Sequence, residues 1–528
     1  MSPLFLKTAI GLAVFFGSIT LVASGAPYVT YSEHGAVGDG VTDDFEAIIR
    51  AHAAANAARL PVRAQAGATY YIGNTRGTAI IQTDTDWTDA KFIIDDSEVT
   101  VEHRNSFVFH ISSSLPTERI TTITSLRKNQ EKLDLTFPHD TLIEVTDRET
   151  MIYIRYGLNQ NRGAPQYDIF VVDQNGNVDR TTPIIWDFDN ITTMTAIPID
   201  PETLTVKGGH FTRIANQAES RYNYYNRGIL ITRSNVVVDG VYHTKTGELD
   251  HGAPYSGFIV VSRCTNVLVQ NSTFTGHRTY VTIGAANAPV SMGTYDISVN
   301  RANNVTFRNC RQTNDIHNPR YWGIFGSNFA KNITFDNVEF SRFDAHQGVT
   351  NATIKNSILG HQGINLIGHG TFLVENSKIH GWSFINLRSD YGSTFDGEII
   401  IRNSEFFPRN RSSAVLIGGN HTGQHDFGYT CYMPRRITID GLIIHDGNMA
   451  DNYRGPRIFA NFNPGYTNEE FVQQFPMTLT EEVFKSNLTI KSEMPLVVSD
   501  NPFMFRNVRI TEGNPRRAFV NPDTIQAH

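Results

Sequence analysis

The chain has 528 residues, 40% of them hydrophobic and 18% charged, which is typical of a folded protein and excludes an intrinsically disordered one. The formal net charge is -7 and there is no run of Lys and Arg, so we expect no nucleic-acid partner. Three cysteines permit at most one disulfide bond, which excludes a small disulfide-stabilised fold.

The N-terminal segment is predicted to be a secretion signal, residues 1–26. Lys7 precedes an almost wholly apolar stretch, and small residues follow at positions 23–26. This stretch is short for a membrane span, so we expect no membrane association after cleavage. The mature protein is predicted to be secreted, or periplasmic in a bacterium. Eight Asn-x-Ser/Thr sequences suggest a glycoprotein, at Asn190, Asn271, Asn304, Asn332, Asn351, Asn410, Asn420 and Asn487.

Residues 27–102 are predicted to form an N-terminal cap and the first rungs of a coil. A Gly-Ala-x-Gly-Asp-Gly-x-x-Asp-Asp motif occupies residues 35–44 and precedes a helix-like apolar pattern, with Asp43 and Glu46 spaced as a capping box. The motif resembles the N-terminal cap of the pectate lyase and polygalacturonase-like superfamily. The resemblance implies a right-handed, single-stranded parallel β-helix and does not specify the reaction.

Two further zones follow along the chain. Residues 103–227 contain strand-like runs and an Asn-Gly-Asn turn at 175–177, which predict an inserted β-rich segment. From residue 228 onwards, short β-branched strands recur roughly every two dozen residues, each next to an Asn or Asp turn. A propeller or a sandwich would show more regular repeats. We therefore predict an all-β protein whose main parallel β-helix and C-terminal cap occupy residues 228–528, with a helix over 467–484.

Polar residues follow the turn asparagines at similar distances. Asp315 and His317 follow Asn309 much as Asp344 and His346 follow Asn337. Stacking of the coils would align these positions along one groove. The predicted catalytic residues are His346, Asp344, His317, Asp315, His361, Arg388 and Tyr391. The predicted substrate-binding residues are His277, Arg320, Tyr321, Trp322, Gln362, His380 and Asp390.

The favoured chemistry is β-elimination on a polysaccharide that contains uronic acid, the reaction of a polysaccharide lyase. His346 is the predicted base for the C5 proton, Arg388 holds the carboxylate and Tyr391 is the acid, with alternatives at His317, Arg320 and Tyr321. The first alternative is a glycoside hydrolase that pairs Asp344 with Asp315 or Asp390.

The second alternative is C5 epimerisation. Phe343-Asp344-Ala345-His346 resembles the Phe-Asp-Pro-His element of alginate C5-epimerases, which implies a catalytic Asp and His. Ala345 replaces the proline of that family, and Ser341 stands where those enzymes have a catalytic tyrosine.

The third alternative is a glycan-binding protein without catalysis, which would have a groove of Asn, Ser and aromatic residues. The partner in every case is a polysaccharide. No tight His or Cys cluster is present, so we expect no metal or cofactor, with calcium left open as an alternative.

Overall fold

The structure is a computed structural model that describes residues 28–73, 76–157, 162–221, 224–249, 255–283, 287–410 and 412–513, with the side chains of Met292 and Trp322 excepted. The predicted signal at 1–26 lies outside the described residues. The fold is a right-handed parallel β-helix, as the sequence predicted. Each turn of the coil contributes one strand to each of three parallel faces, and each strand pairs with its counterparts in the neighbouring turns.

The strands that lie on one face only fall into three sets. The first face contains Val29–Thr30, Val62–Arg63, Thr85–Asp86, Leu204–Lys207, Val236–Asp239, Thr265–Gln270, Asn303–Arg308, Glu482–Ser486 and Arg509–Glu512. The second face contains Asp39–Asp43, Thr69–Ile72, Lys91–Asp95, His210–Ile214, Tyr242–Thr246, Thr273–Phe274, Arg311–Gln312, Lys378–Gly381 and Thr489–Ile490. The third face contains Ala79–Ile81, Phe109–Ile111, Ile229–Ile231, Ile259–Ser262, Ile297–Asn300, Ser383–Leu387, Ala414–Gly418 and Pro456–Phe459.

Longer strands bend from one face to the next and pair on both. They are Phe325–Asp336, Glu339–Asp344, Gln347–Lys355, Ile358–Leu366, Phe395–Pro408 and Arg436–Ile444. Gly368–Glu375 continues the first face between Gln347–Lys355 and Phe395–Pro408. Within the described residues, three two-stranded pairings lie outside the coil: His277–Arg278 with Tyr321–Gly323, Tyr280–Ile283 with Pro289–Met292, and Cys431–Tyr432 with Met477–Thr478. In the part of the chain that the structure describes, three short 3₁₀ helices occur at Ser32–His34, Val101–His103 and Ser389–Tyr391.

The repeat pattern forms this coil because alternate side chains enter its interior. In Val236–Asp239 the two inward valines are buried and the other two residues are half-buried. The turn asparagines adopt positive φ, as the sequence predicted, and Asn304 has φ 51°. Their side-chain amides form a ladder in which each donates to the asparagine of the preceding turn: Asn304 Nδ2 donates to Asn266 Oδ1 at 3.2 Å, and Asn332 Nδ2 to Asn304 Oδ1 at 2.9 Å.

The helix Phe45–Ala58 covers the N-terminal end of the coil, as predicted, and buries Phe45, Ile48 and His52. The capping box is wrong in detail, because Asp44 occupies the N-cap position. The Asp43 carboxylate accepts the Phe45 N–H at 3.1 Å. The Asp44 carboxylate instead accepts backbone N–H groups of the preceding loop, since the glycine-rich motif folds back over it.

The inserted unit is an antiparallel sheet with its own hydrophobic core. Its strands, in spatial order, are Ala164–Val172, Thr141–Ile152, Thr193–Pro198 and Glu118–Arg119. Strands at 109–111, 204–207 and 210–214 belong to the coil, so the interruption is shorter than the predicted zone 103–227. The unit docks on the coil through a buried ion pair in which Lys331 Nζ lies 2.6 Å from Asp168 Oδ1.

One other prediction from the sequence has a clear outcome. The helix expected over 467–484 is wrong, because strands Met477–Thr478 and Glu482–Ser486 begin there and the preceding residues form turns. Cys264, Cys310 and Cys431 are all free and buried. Across the described part of the chain, no helix combines the length and the apolar character that a membrane crossing requires.

Candidate active site

A cavity of about 520 Å³ lies on the outer side of the third face. Its floor comes from strands of five successive turns, and its walls come from loops and from the inserted unit. Its lining includes Arg155, Tyr224, Ser256, Ser291, Gly293, Tyr295, Ser298, Asn300, Gly326, Asn328, Arg342, His346, Asn365, Asn386, Arg388, Ser389 and Asp390.

The floor of the cavity is a network of polar side chains that orients His346. Asn328 Nδ2 donates to Asn300 Oδ1 at 2.6 Å, so Asn328 Oδ1 faces the histidine. His346 Nδ1 lies 2.9 Å from that oxygen and must therefore carry the proton. Nε2 is left as the basic nitrogen of the neutral ring.

Asp344 lies beneath the cavity and is fully buried. Its carboxylate receives three contacts: Arg342 Nη2 at 2.8 Å, Arg388 Nη1 at 3.1 Å and the Tyr295 O–H at 2.7 Å. Burial alone raises the pKa of Asp344, but the two guanidinium groups outweigh it and lower the pKa below its ordinary value. Asp344 is therefore an ionised anchor for two arginines.

Asp390 connects the coil to the inserted unit. Its Oδ2 accepts from Arg388 Nη2 at 2.8 Å and lies 2.7 Å from Arg155 Nη2. Burial raises the pKa of Asp390, and the two arginines more than offset this, giving a pKa of about 2. Three arginines thus face two carboxylates, so this cluster has a net positive charge.

His346 is uncharged beside this cluster. Burial, followed by the charge of Arg388, lowers the pKa of His346 to about 3. The Tyr391 ring is 6.3 Å from the His346 ring, and its centroid lies 5.3 Å from the Arg155 guanidinium carbon and 5.1 Å from that of Arg388. Tyr391 is itself only 1% exposed, and the guanidinium groups of Arg155 and Arg388 pack against its ring. The structure therefore brings together five predicted residues: His346, Asp344, Arg388, Asp390 and Tyr391.

Five other predicted residues lie at the corner between the second and third faces. The rings of His317 and His380 are 4.4 Å apart, and His380 stacks on Phe407 at 4.4 Å. His361 is buried, and its Nδ1 lies 3.0 Å from the Ile316 carbonyl oxygen. The other two members, Asp315 and Gln362, make local contacts: Asp315 Oδ1 accepts the His317 N–H, and the Gln362 carbonyl accepts from Asn365. The prediction that the polar residues share one groove is wrong. Of the predicted histidines, His346 alone is in the cavity lining given above.

The remaining predicted residues are separate from the cavity. His277 is 2% exposed, and its Nε2 lies 2.9 Å from Asp296 Oδ1. The other carboxylate oxygen of Asp296, Oδ2, lies 2.8 Å from His243 Nδ1. Arg320 is an exposed loop residue. Tyr321 and Trp322 belong to the strand that pairs with His277–Arg278, and the Trp322 side chain lies outside the described residues.

Sequence reasoning missed several residues of the site, notably Arg155, Tyr295, Arg342 and the asparagines of the floor. Arg342 precedes Asp344 by two positions in one strand, so the period-two alternation of a strand could have identified it. Arg155 carried no such signal, because 235 residues separate it from Asp390.

Among the residues that the structure describes, no group of three His, Cys, Asp or Glu side chains is arranged to hold a metal ion.

Comparison with known proteins is informative about the fold. No protein-family model and no curated protein matches the sequence. The tailspike gp61 of Pseudomonas phage phi297 is a similar solved structure, with a TM-score of 0.54 and 14% identity over 89% of this chain and 83% of that one. The Gp54 tailspike of Acinetobacter baumannii bacteriophage AP22, solved with a capsular saccharide of A. baumannii, has a TM-score of 0.49 and 12% identity over 92% of this chain and 72% of that one.

The surface adhesin PfbA of Streptococcus pneumoniae has a TM-score of 0.39 and 13% identity over 92% of this chain and 93% of that one. At 14% identity the likeness to the phi297 tailspike concerns the fold alone.

Proposed function

We propose that this protein is an exported enzyme that cleaves a uronic-acid-containing polysaccharide by β-elimination in the cavity of the third face. The observation that carries the proposal is the presence of an uncharged histidine and three arginines around one cavity. A lyase needs a base that is free of its proton and a cationic group that binds the carboxylate next to the acidic C–H.

His346 is the proposed base. Its Nδ1–H is held by Asn328, which leaves Nε2 to take the C5 proton of the sugar. A pKa of about 3 makes an isolated imidazole a weak base. An anionic sugar bound beside it would raise that pKa, because a nearby negative charge favours the protonated ring. Substrate binding would therefore strengthen the base.

Arg155 and Arg388 are the proposed carboxylate-binding groups. Both line the cavity, and both are already aligned by Asp390. Because three guanidinium groups are balanced by only two carboxylates, the cavity keeps a net charge that is complementary to a uronate. A guanidinium placed on the substrate carboxylate stabilises the negative charge that develops when C5 loses its proton.

The bond changes then balance without a second acid. The C5–H electrons form the C4–C5 double bond, the C4–O4 bond breaks, and the leaving O4 takes a proton. In this proposal His346, which has just gained a proton, returns it to O4. Tyr391 is a poor donor because it is 1% exposed, and the Tyr295 O–H already donates to Asp344.

Hydrolysis by paired carboxylates is less well supported. That mechanism needs one carboxylic acid that keeps its proton until it reaches the leaving group. Asp344 and Asp390 both have lowered pKa values because arginines surround them. Asp315, the third candidate, is exposed and accepts a backbone N–H within its own turn.

A second candidate function, glycan binding without cleavage, is favoured by the floor of the cavity. Ser298, Asn300, Asn328, Asn365 and Asn386 present amides and a hydroxyl, which are groups that bind sugar hydroxyls. These side chains bond in two groups along the third face. Asn328 donates to Asn300 and Asn300 to Ser298, and Asn386 Nδ2 donates to Asn365 Oδ1 at 2.9 Å. Such a floor suits an uncleaved glycan equally well.

Incubation with polygalacturonate, alginate, a glucuronan and neutral glycans distinguishes these functions. We expect a rise in ultraviolet absorbance from an unsaturated uronate with one acidic polymer. New reducing ends without that absorbance would indicate a hydrolase, and a changed uronate composition without cleavage would indicate an epimerase. Retention of a polymer by the protein without any product would support the binding function.

The matched variants are His346→Asn and His445→Ala. Asparagine keeps a donor for Asn328 but lacks the Nε2 base, so turnover should fall by about a thousandfold or more. His445 lies on the second face, with its ring 4.1 Å from Phe407 and its Nε2 on Glu405, and its replacement should leave turnover unchanged. Turnover by His346→Asn at the wild-type rate would refute the assignment.

A further inference from the structure

A second cavity, of about 190 Å³, adjoins the first one. Ser389 and Asp390 line both cavities, so the two are neighbours across the short helix Ser389–Tyr391. The other lining residues of the second cavity are Tyr156, Asn420, His421, Thr422, Gly423, His425 and Phe427.

The inserted unit contributes one residue to each cavity. Arg155 lines the first, and the next residue, Tyr156, lines the second. The chain is fixed at this point because the Tyr156 N–H donates to the Asp390 carbonyl at 2.8 Å, while the Arg155 guanidinium binds the Asp390 carboxylate. Consecutive side chains therefore serve two binding positions whose relative placement is set by Asp390.

The second cavity combines aromatic rings with polar groups. The Tyr156 ring is 4.8 Å from the His425 ring, and the side chain is 44% exposed, so a face of the tyrosine is open to a ligand. His421 is fixed by its Nε2, which lies 2.8 Å from the Phe475 carbonyl oxygen. Its Nδ1 has no hydrogen-bond partner among the described residues. Ring faces together with amide, hydroxyl and imidazole groups are what a pyranose needs for stacking and hydrogen bonding.

We infer that the second cavity is a monosaccharide-binding subsite adjacent to the reacting one, so that the substrate is a chain whose sugars lie on both sides of Asp390. This inference rests on the proposed function, because the first cavity defines the reacting position. Among the described residues, no arginine or lysine lines the second cavity, whereas three arginines line the first. It therefore contributes stacking and hydrogen bonds and tolerates an uncharged sugar.

The test compares short and long oligosaccharides, from disaccharide to octasaccharide, prepared from polygalacturonate, alginate and a glucuronan. Tyr156→Ala removes the ring but keeps the backbone N–H that binds Asp390. We expect kcat/KM of this variant to fall about tenfold for the long oligosaccharides and to stay unchanged for the shortest one cleaved, since tenfold is the scale of one lost ring contact. Tyr156→Phe keeps the ring and should behave as wild type.

The dependence on length separates a subsite from a structural role. An equal loss at every length, or no loss at any length, would overturn the inference while the wild-type lyase activity still supported the proposed function. If the wild type cleaves none of these sugars, the proposed function fails, and Kd values for the same series decide the inference. A loss of affinity in Tyr156→Ala for long chains alone would support it, and equal Kd values or no binding would overturn it.

Discussion

Arg388 Nη1 lies 3.1 Å from Oδ1 of the fully buried Asp344. The same guanidinium also binds Asp390. Arg388 therefore connects a buried anchor to the wall of the cavity. Its position, and hence the position of the cationic surface of the cavity, depends on a carboxylate that is fully buried. Asp344 is a positioning residue in this account.

Asp344→Asn should destabilise the fold and abolish activity. The asparagine leaves Arg342 and Arg388 buried beside an uncharged amide, and breaking a buried ion pair in this way costs about 3–5 kcal/mol. Urea denaturation measures the loss. Asp315→Asn is the control, because this exposed turn residue keeps its side-chain acceptor and should change stability by less than about 0.5 kcal/mol. Equal stability of the two variants would contradict the anchoring role.

Arg155→Ala should weaken substrate binding while the fold remains intact. The side chain is 24% exposed and belongs to a loop, so its loss should cost little stability. We expect KM for the acidic polymer to rise about tenfold or more and its dependence on salt to weaken, because one cation is lost. Arg127→Ala, which removes an exposed arginine of the same inserted unit, is the control and should leave KM unchanged.

The pH dependence of kcat/KM should lack the acidic limb near pH 6.5 that an ordinary histidine base produces. In the free enzyme His346 has a pKa of about 3 and is already uncharged at pH 5. Activity measured from pH 4 to pH 8, with stability checked at each pH, tests this. An acidic limb between pH 6 and 7 that disappears in a still active His346 variant would show that the ring is protonated in the folded enzyme, contrary to this structure.

The stability of the fold should fall as the pH is lowered from about 6.5 towards 3. His52 and His346 each have a folded pKa of about 3, below the value of about 6.5 in an unfolded chain. In that window the unfolded chain binds protons that the folded chain does not, so acid favours unfolding. Asp344 and Asp390 have lowered pKa values and act in the same direction at lower pH. Thermal unfolding as a function of pH measures the slope, and constant stability over this window would contradict it.

The sequence predicted the coil well and the site only in part, for a physical reason. Strand alternation and turn asparagines are local properties, so they could be recognised without knowledge of the fold. Matching distances after Asn309 and Asn337 predicted equivalent positions for His317 and His346. After Asn337 the strand Glu339–Asp344 continues as far as Asp344. The equivalent strand after Asn309, Arg311–Gln312, ends after two residues, and the chain then leaves the coil in a loop before Tyr321–Gly323. Two residues at the same distance in sequence from a turn asparagine occupy equivalent positions in the coil only when the strands and corners that follow the two asparagines have the same number of residues.

Asn304 tests the contribution of the asparagine ladder, and two substitutions separate its two components. Asn304→Gly tolerates φ 51° but loses the side-chain bonds to Asn266 and from Asn332, which should cost about 1–2 kcal/mol. Asn304→Ala loses the same bonds and also places a Cβ residue in the left-handed region, which should add about 1 kcal/mol. Urea denaturation of both variants gives the two values. If alanine were no more destabilising than glycine, the backbone component would be refuted, and if glycine matched the wild type, the ladder would contribute nothing to stability.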